Sequence, residues 1–392
     1  MIEALLKPEV QKFIRDHEND DPSALILQAK QFPHINIKLA VEQIQSRKKA
    51  KQKLPTWYNS KDLIFPPPLS IEQSSSEKTA IHKASLFNGD RFLDLTGGMG
   101  IDFSFIAQSF KTAFYIEKQG HLVALAKHNM ASLKLTNAQF YNQEADDFIK
   151  KTAIHFDLIY LDPARRGTNQ RKVFRVQDCE PNFIELLPLM KEKSERIIIK
   201  MSPLLDIKGA IADIGGVTEV QVIAINNEVK ELLFIIDKRA NLNPDIRAID
   251  LQIELVDFKI KSSAEESLAI ESSQVNEYLY EPNVALLKAG AFKSVAVAYG
   301  AQKLNANTHL YTSKLLIPDF PGRSFKVVKE LKMNKAVLKT AIPDMKANIT
   351  VRNYPMTVDQ IRKKTGLTDG GNQYIFATTD QDGKKVVLCK KV

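Results

Sequence analysis

Cysteine is nearly missing from this 392-residue chain, which holds two, Cys179 and Cys389. Two thiols cannot build a disulfide framework or a thiolate metal cage. The seven histidines lack metal-ligand spacing, so no metal site is expected. Long hydrophobic runs are missing as well: none approaches the roughly 18 residues that a membrane helix needs, and no membrane association is expected. The opening MIEALLKPEVQKFIRDHENDD is amphipathic and turns acidic. It lacks the basic start, apolar centre and small-residue cleavage site of a secretory signal, which leaves the cytoplasm as the expected location. There is no internal repeat, no low-complexity tract and no G-x-x-x-x-G-K-[ST] stretch to cradle a phosphate.

Hydrophobic residues make up 44% and charged residues 26%, a globular balance with length enough for two or three domains. The formal net charge is +9. From Arg323 to Val392 there are 15 Lys/Arg and 6 Asp/Glu, so the whole excess lies in the last 70 residues. A basic end on a neutral body is an electrostatic footprint for a polyanion; a solvated lysine-rich surface is the plainer alternative.

Residues 1–70 read as a helical region ending in the proline connector FPPPLS. From 71 to 240 strand and helix alternate: RFLDL, TAFYIE, AQFYNQEA, FDLIYLDP and RIIIKMS are strands, with IDFSFIAQSF, HLVALAKHNMASL and PNFIELLPLMKEK as helices between them. That alternation predicts a parallel sheet with right-handed crossovers. TEVQVIAIN and VKELLFIID then read as an antiparallel hairpin. A parallel sheet closed this way is the Rossmann-like α/β architecture of class I methyltransferases, whereas a dinucleotide-binding domain would continue parallel. Residues 241–322 read as a small α+β domain, with IPDFPGRS as a linker, and 323–392 as a compact basic module containing a helix over TVDQIRKKTG.

The stretch DLTGGMG at 94–100 carries the chemistry. Asp94 ends the first strand, and Gly97, Gly98 and Gly100 turn the chain into the next helix. Glycine lets backbone approach a ligand closely, in the crevice where such sheets bind ligands. A dinucleotide turn needs a third small residue where this chain has Phe103. What remains is D-x-x-x-G-x-G, the pattern used for S-adenosyl-L-methionine (SAM), with an acid facing the cationic amino-acid end of the cofactor. Glu117 ends the second strand, where a carboxylate can accept from both ribose hydroxyls. Asp146 follows the third strand, placed to accept the adenine amino group, and Asp162 ends the fourth. The expected cofactor set is Asp94, Thr96, Gly97, Gly98, Gly100, Glu117, Asp146 and Asp162.

Asp162-Pro163-Ala164-Arg165 falls where this fold presents its substrate, so Asp162, Pro163 and Arg165 are the expected catalytic loop. Enzymes methylating exocyclic amines carry an Asp/Asn-Pro-Pro-aromatic turn whose ring stacks on the base. Here Ala164 and Arg165 replace the second proline and the ring, followed by Arg166; a guanidinium can stack on a base or contact phosphate. RKVFRVQD at 171–178 adds cations for a lid over a polyanion. Cys179 reads either as a nucleophile toward a pyrimidine or as a buried inert thiol, the latter favoured by the lack of an activating neighbour. Lys200 either lines the pocket or is structural.

These residues together resemble a bacterial family of class I SAM-dependent methyltransferases with a C-terminal THUMP-like domain. The matching stretches include EQSSSEKTAIHKA, LDLTGGMGID, LDPARRG, RKVFRVQDCEPN, IIIKMSPLLDI, YLYEPN and VRNYPMTVDQIRKKTGLTDGGNQYIFATT. The resemblance implies a ferredoxin-like domain over 241–322, a THUMP-like domain over 323–392, and RNA (tRNA or rRNA) as the partner, with Ser74 to Glu77 closing over the cofactor. The expected function is methyl transfer from SAM to a base in structured RNA. A protein or small-molecule acceptor, or a non-catalytic RNA-binding role, are the alternatives.

Overall fold

The computed structural model describes residues 2–165, 176–240, 243–254 and 256–392, and the chain divides into two compact units. One comprises Met1–Gly216 and Phe234–Ala240; the other Val217–Leu233 and Asn241–Val392.

In the first unit the strands are β1 (Gly89–Asp94), β2 (Phe110–Glu117), β3 (Ala138–Asn142), β4 (Leu158–Leu161) and β5 (Arg196–Met201). Their order is β3-β2-β1-β4-β5, and every pairing among them is parallel. Leu158 to Leu161 and Ile197 to Ile199 are buried throughout, as strands covered on both faces must be. Beyond β5 lies the end of β7 (Glu228–Asp237), where Arg196 Nε meets Asp237 Oδ2 at 3.0 Å.

Helices at Pro8–Asp16, Pro22–Leu27 and Ile37–Lys53 precede the sheet. They share a core of Val10, Phe13, Ile14, Leu25, Val41 and Ile44 that extends to Leu125 on the helix Gly120–Ser132. The proline connector is held by the long helix. Gln43 brackets Phe65, donating to its carbonyl at 2.7 Å and accepting its amide at 2.9 Å, and Ser46 Oγ donates to the Pro66 carbonyl at 2.7 Å. Prolines leave carbonyls to satisfy but few amides, and a polar helix face supplies the donors.

In the second unit β6 (Glu219–Ile225) and β7 form the expected hairpin. Its turn residues Asn226 and Asn227 have φ of +52° and +61°, the paired left-handed conformation that matches strand twist in a two-residue turn. The stretch IDLQIELVDFKI spans the end of β8 (Asp245–Asp250), a turn and most of β9 (Asp257–Lys261). β8 pairs parallel with β6 and antiparallel with β9. Asp250 accepts the Asn226 and Asn227 amides at 3.1 and 2.7 Å, which ties the hairpin turn to β8.

A second sheet has seven strands: β10 (Tyr278–Pro282), β11 (Gln302–Asn305), β12 (Thr308–Ser313), β13 (Gly322–Glu330), β14 (Asn348–Val351), β15 (Tyr374–Asp380) and β16 (Gly383–Lys391). Their order is β11-β12-β10-β13-β16-β15-β14. Strands from both sides of IPDFPGRS thus share one sheet, and Phe320, 2% exposed, packs against Tyr280 and Tyr311. One cluster joins Leu279, Leu304 and Leu310 to Phe325, Phe376 and Val387. The basic segment also contains a helix absent from the sequence reading, Lys335–Ala341, capped by Asn334 Oδ1 on the Ala336 amide at 2.8 Å. The expected helix over TVDQIRKKTG runs Val358–Thr365, with a Thr357–Gln360 capping box and Gly366 at φ +80°. No helix among the described residues is long and apolar enough to cross a membrane.

Candidate active site

A cleft of about 300 Å³ opens at the carboxyl ends of β1, β2, β3 and β4. Leu95, Thr96 and Gly98 line it after β1, Glu117 to Gln119 and Leu122 after β2, and Gln143 to Ala145 after β3. Asp162, Ala164, Glu180 and Pro181 complete the wall. Among the described lining residues four are acids, Glu117, Glu144, Asp162 and Glu180, against one cation, Lys118. Lys118 pairs with Glu180 and Lys200 with Asp162, which leaves Glu117 and Glu144 without a cation in the wall. Such a lining favours a positively charged ligand.

The glycine turn is shaped from behind. Gly97 donates to the Ile116 carbonyl at 2.9 Å, and a Cβ placed there would lie 2.2 Å from the Tyr115 ring. Only glycine permits that approach. Tyr115 OH in turn donates to the Gly98 carbonyl. Gly98 and Gly100 have φ of +54° and +79°; Gly100 starts the helix Ile101–Ile106, and a Cβ on Gly98 would meet nothing but the Thr96 carbonyl at 3.6 Å. The turn is therefore packed on its inner side at Gly97 and open on the cleft side at Gly98. Phe103, whose bulk argued against a dinucleotide turn, lies in the core against Phe92 and Tyr115.

Glu117 faces the cleft and braces the turn. Its Oε2 accepts the Gly98 amide at 3.0 Å and its Oε1 accepts the Gln119 amide at 2.8 Å. Each oxygen keeps a second lone pair for a ligand hydroxyl. Asp94 is 1% exposed and does not line the cleft; it accepts the Thr96 amide at 2.9 Å, and Thr96 Oγ1 accepts the Asp162 amide at 2.6 Å. Burial, with Asp102, Asp162 and Glu117 adding repulsion, raises the Asp94 carboxyl well above its ordinary value despite the Thr96 bond. Asp94 thus acts through Thr96, linking the ends of β1 and β4.

The remaining expected residues separate. Asp162 lines the cleft, and its Oδ2 lies 2.5 Å from Lys200 Nζ on β5. Desolvation by the surrounding protein raises its carboxyl above the ordinary value against the pull of that lysine, a rise that water reaching the 42%-exposed side chain weakens. Arg165 is placed by backbone pairing with Cys179, as Ala164 is with Glu180, a small ribbon that sequence reading missed. Cys179 is 0% exposed, in keeping with the inert-thiol reading. Arg166 and residues 171–175 of the expected lid lie outside the described residues. Asp146 is not brought to the cleft: β3 ends at Asn142, so Gln143, Glu144 and Ala145 reach it, while Asp146 turns outward to pair with Lys150 at 3.3 Å.

Ser74 to Glu77 do not line the cleft either. Ser76 caps the helix Glu77–Leu86, Glu77 accepts the Thr56 amide and hydroxyl at 2.7 Å each, and Ser75 Oγ donates to buried Asp102 at 2.7 Å. The polar lining Gln119, Gln143 and Glu144 was missed as well; its only signal was position just past a strand end.

The strand arrangement and the cleft define a class I methyltransferase fold. A ferredoxin-like domain model matches residues 278–321, a THUMP domain-like model 322–391, and a conserved hypothetical protein model 77–177. A crystal structure from Porphyromonas gingivalis W83, assigned as a methyltransferase, is 32% identical, covers 100% of this chain and 98% of its own, and superposes with a TM-score of 0.87. The chain belongs to the family of that protein. Over 123 residues it is also 32% identical to a 23S rRNA (uracil(1939)-C(5))-methyltransferase of Xanthomonas oryzae, covering 29% of this chain and 27% of that one. An uncharacterised RNA methyltransferase of Mycoplasma mobile is 29% identical over 109 residues, 28% of this chain and 26% of the other. The chain thus spans about a quarter of the length of these curated relatives.

Proposed function

We propose that the protein transfers a methyl group from SAM to a base of structured RNA, tRNA or rRNA, docked through its basic C-terminal module. The observation that carries this reading is the acid-walled cleft in which Glu117 faces the ligand space while bracing the open side of the glycine turn. Gly98 leaves room for a ligand against backbone, Glu117 suits a ribose, and the excess of carboxylates suits a cation. SAM bound there supplies an electrophilic methyl on a positively charged sulfur.

The chain's own residues do the rest. Thr96 fixes the backbone of Asp162 at the cleft, and Pro163 restricts the loop that follows. Asp162 holds the acceptor and takes up the single proton that a nitrogen acceptor releases; catalysis is otherwise orientation. Arg165 contacts the substrate base or its phosphate. Among the 15 Lys/Arg of the last 70 residues, Arg362, Lys363 and Lys364 cluster in the last turn of one helix, a footprint for phosphate. Mass spectrometry of nucleosides from a deletion strain tests the reading. A methylated nucleoside missing there and restored by the wild-type gene supports it; an unchanged nucleoside profile removes RNA as the substrate.

A further inference from the structure

Four charged side chains from four elements alternate in sign from the core to the cleft: Lys83, Asp102, Lys200 and Asp162. Lys83 Nζ lies 3.2 Å from Asp102 Oδ1, Lys200 Nζ 3.7 Å from Asp102 Oδ2, and Lys200 Nζ 2.5 Å from Asp162 Oδ2. Side-chain exposure rises along the chain from 0% to 9%, 12% and 42%. Asp102 Oδ2 also accepts from Ser75 Oγ and Tyr160 OH, both at 2.7 Å. Ser75 Oγ sits 3.2 Å from each lysine. Nothing in the proposed transfer uses Lys83, Asp102 or Lys200.

A solvent-exposed ion pair fixes little, because both long side chains are free to swing and water screens them. This one differs at its inner end. Asp102 and Ser75, themselves locked in the core, hold the Lys200 ammonium, and Lys83 balances the charge of Asp102. The Lys200 charge is therefore directed at Asp162. We propose, resting on the methyltransferase reading above, that Lys200 is a positioning residue for the transfer: backed by Asp102, it fixes the Asp162 side chain as an anion at the mouth of the cleft. An ionised Asp162 accepts an N–H from the acceptor base and receives the proton that the base sheds; a protonated one can still accept through its carbonyl oxygen but cannot take up that proton.

Among the described residues, the groups facing Asp162 are Asp94 from the end of β1, Asp102 and Lys83 from two helices, and Lys200 from β5. Burial and Asp102 favour its neutral form; Lys200, with Lys83 further off, opposes them. Removing Lys200 therefore lets Asp162 take up its proton at higher pH.

The test uses full-length Lys200→Met and Lys200→Arg proteins. The Asp162 carboxyl carbon is titrated by NMR on aspartate-labelled protein, its signal identified by loss in Asp162→Asn. In parallel, methyl transfer to RNA from a deletion strain is followed between about pH 5.5 and 9, and S-adenosylhomocysteine affinity is measured by calorimetry. In Lys200→Met the Asp162 midpoint should rise by about one unit or more. The rate at neutral pH should fall about tenfold with its acid limb moved upward, and affinity should stay within about threefold. Arginine should restore most of the rate. A folded Lys200→Met protein with an unmoved Asp162 midpoint overturns the proposal, as does a lost rate with an unshifted profile and no arginine rescue. Should Lys200→Met not fold, Lys200→Gln is measured in its place under the same criteria. Should the wild type methylate no RNA, the substrate reading fails alone, and the NMR midpoint still decides Lys200.

Discussion

Glu117 Oε2 accepts the Gly98 amide at 3.0 Å, so the end of the second strand holds the turn that follows the first. The same carboxylate binds the Gln119 amide at 2.8 Å. Glu117→Ala frees two amides at the cleft and removes the ligand-facing acid. A charge-assisted hydrogen bond contributes roughly 1.5–3 kcal/mol, so SAM affinity should fall about 10- to 100-fold. Calorimetry checks this, and an affinity within about twofold of wild type would remove Glu117 from the site.

Gly97 and Gly98 should separate stability from binding. A Cβ at Gly97 falls 2.2 Å from the Tyr115 ring, while one at Gly98 meets nothing closer than 3.6 Å. Gly97→Ala must push a buried ring aside, which costs about 1–3 kcal/mol of stability and frees the Gly98 carbonyl from Tyr115. Gly98→Ala bears the strain of φ +54°, about 1–2 kcal/mol, and projects a methyl group toward the ligand space. Denaturant unfolding should rank Gly97→Ala as the less stable, and ligand calorimetry should rank Gly98→Ala as the weaker binder relative to its stability loss.

Asp102 should set the acid limit of the first unit. Burial alone would raise its carboxyl, but Lys83, Lys200 and the Tyr160 and Ser75 bonds hold it down to about 2. A folded-state value below the unfolded one adds stability at neutral pH that is lost as pH falls from about 4 toward 2. Asp94, shifted the other way, is favoured by acid and opposes this trend. Asp102→Asn should flatten the stability profile below about pH 4 and leave Lys83 buried without its counter-charge, at a cost of about 3–5 kcal/mol at pH 7. Urea unfolding at several pH values gives both numbers; an unchanged acid slope would show that Asp102 titrates normally.

The docking proposal has its own signature. Lys363 and Lys364 are exposed near the C-terminal end of their helix. Replacing both with glutamate should weaken RNA binding and reduce the log–log salt slope by roughly 1.5 or more, since each phosphate contact contributes about 0.7–0.9. An unchanged slope would place the docking surface elsewhere.

Much of the site could be read because it follows strand ends. DLTGGMG, Glu117 and Asp162 each close a buried apolar run, and period alone locates such ends. Asp146 shows where that reading stops. In QEADD several acids crowd one strand–helix junction, and only the observed end of β3 at Asn142 determines that Glu144 faces the cleft and Asp146 does not. The pairing of Lys83 with Asp102 was illegible for another reason. It joins two helices that meet only after folding, and neither residue stands out in its own segment. The helix Lys335–Ala341 escaped because its apolar face is short and its cap, Asn334, sits in a lysine-rich stretch that reads as surface. In IPDFPGRS, two prolines and a glycine outweighed Phe320, which the fold buries.

The seam at residues 321 and 322 has an evolutionary consequence. Tyr278–Pro282 pairs along Gly322–Lys326, and the leucines on one side share one buried cluster with the aromatics on the other. Gene fission at that point would bare two strand edges and an apolar face at once, conditions that invite aggregation. In this chain the two stretches should therefore survive recombination only when carried together, as a single heritable cassette.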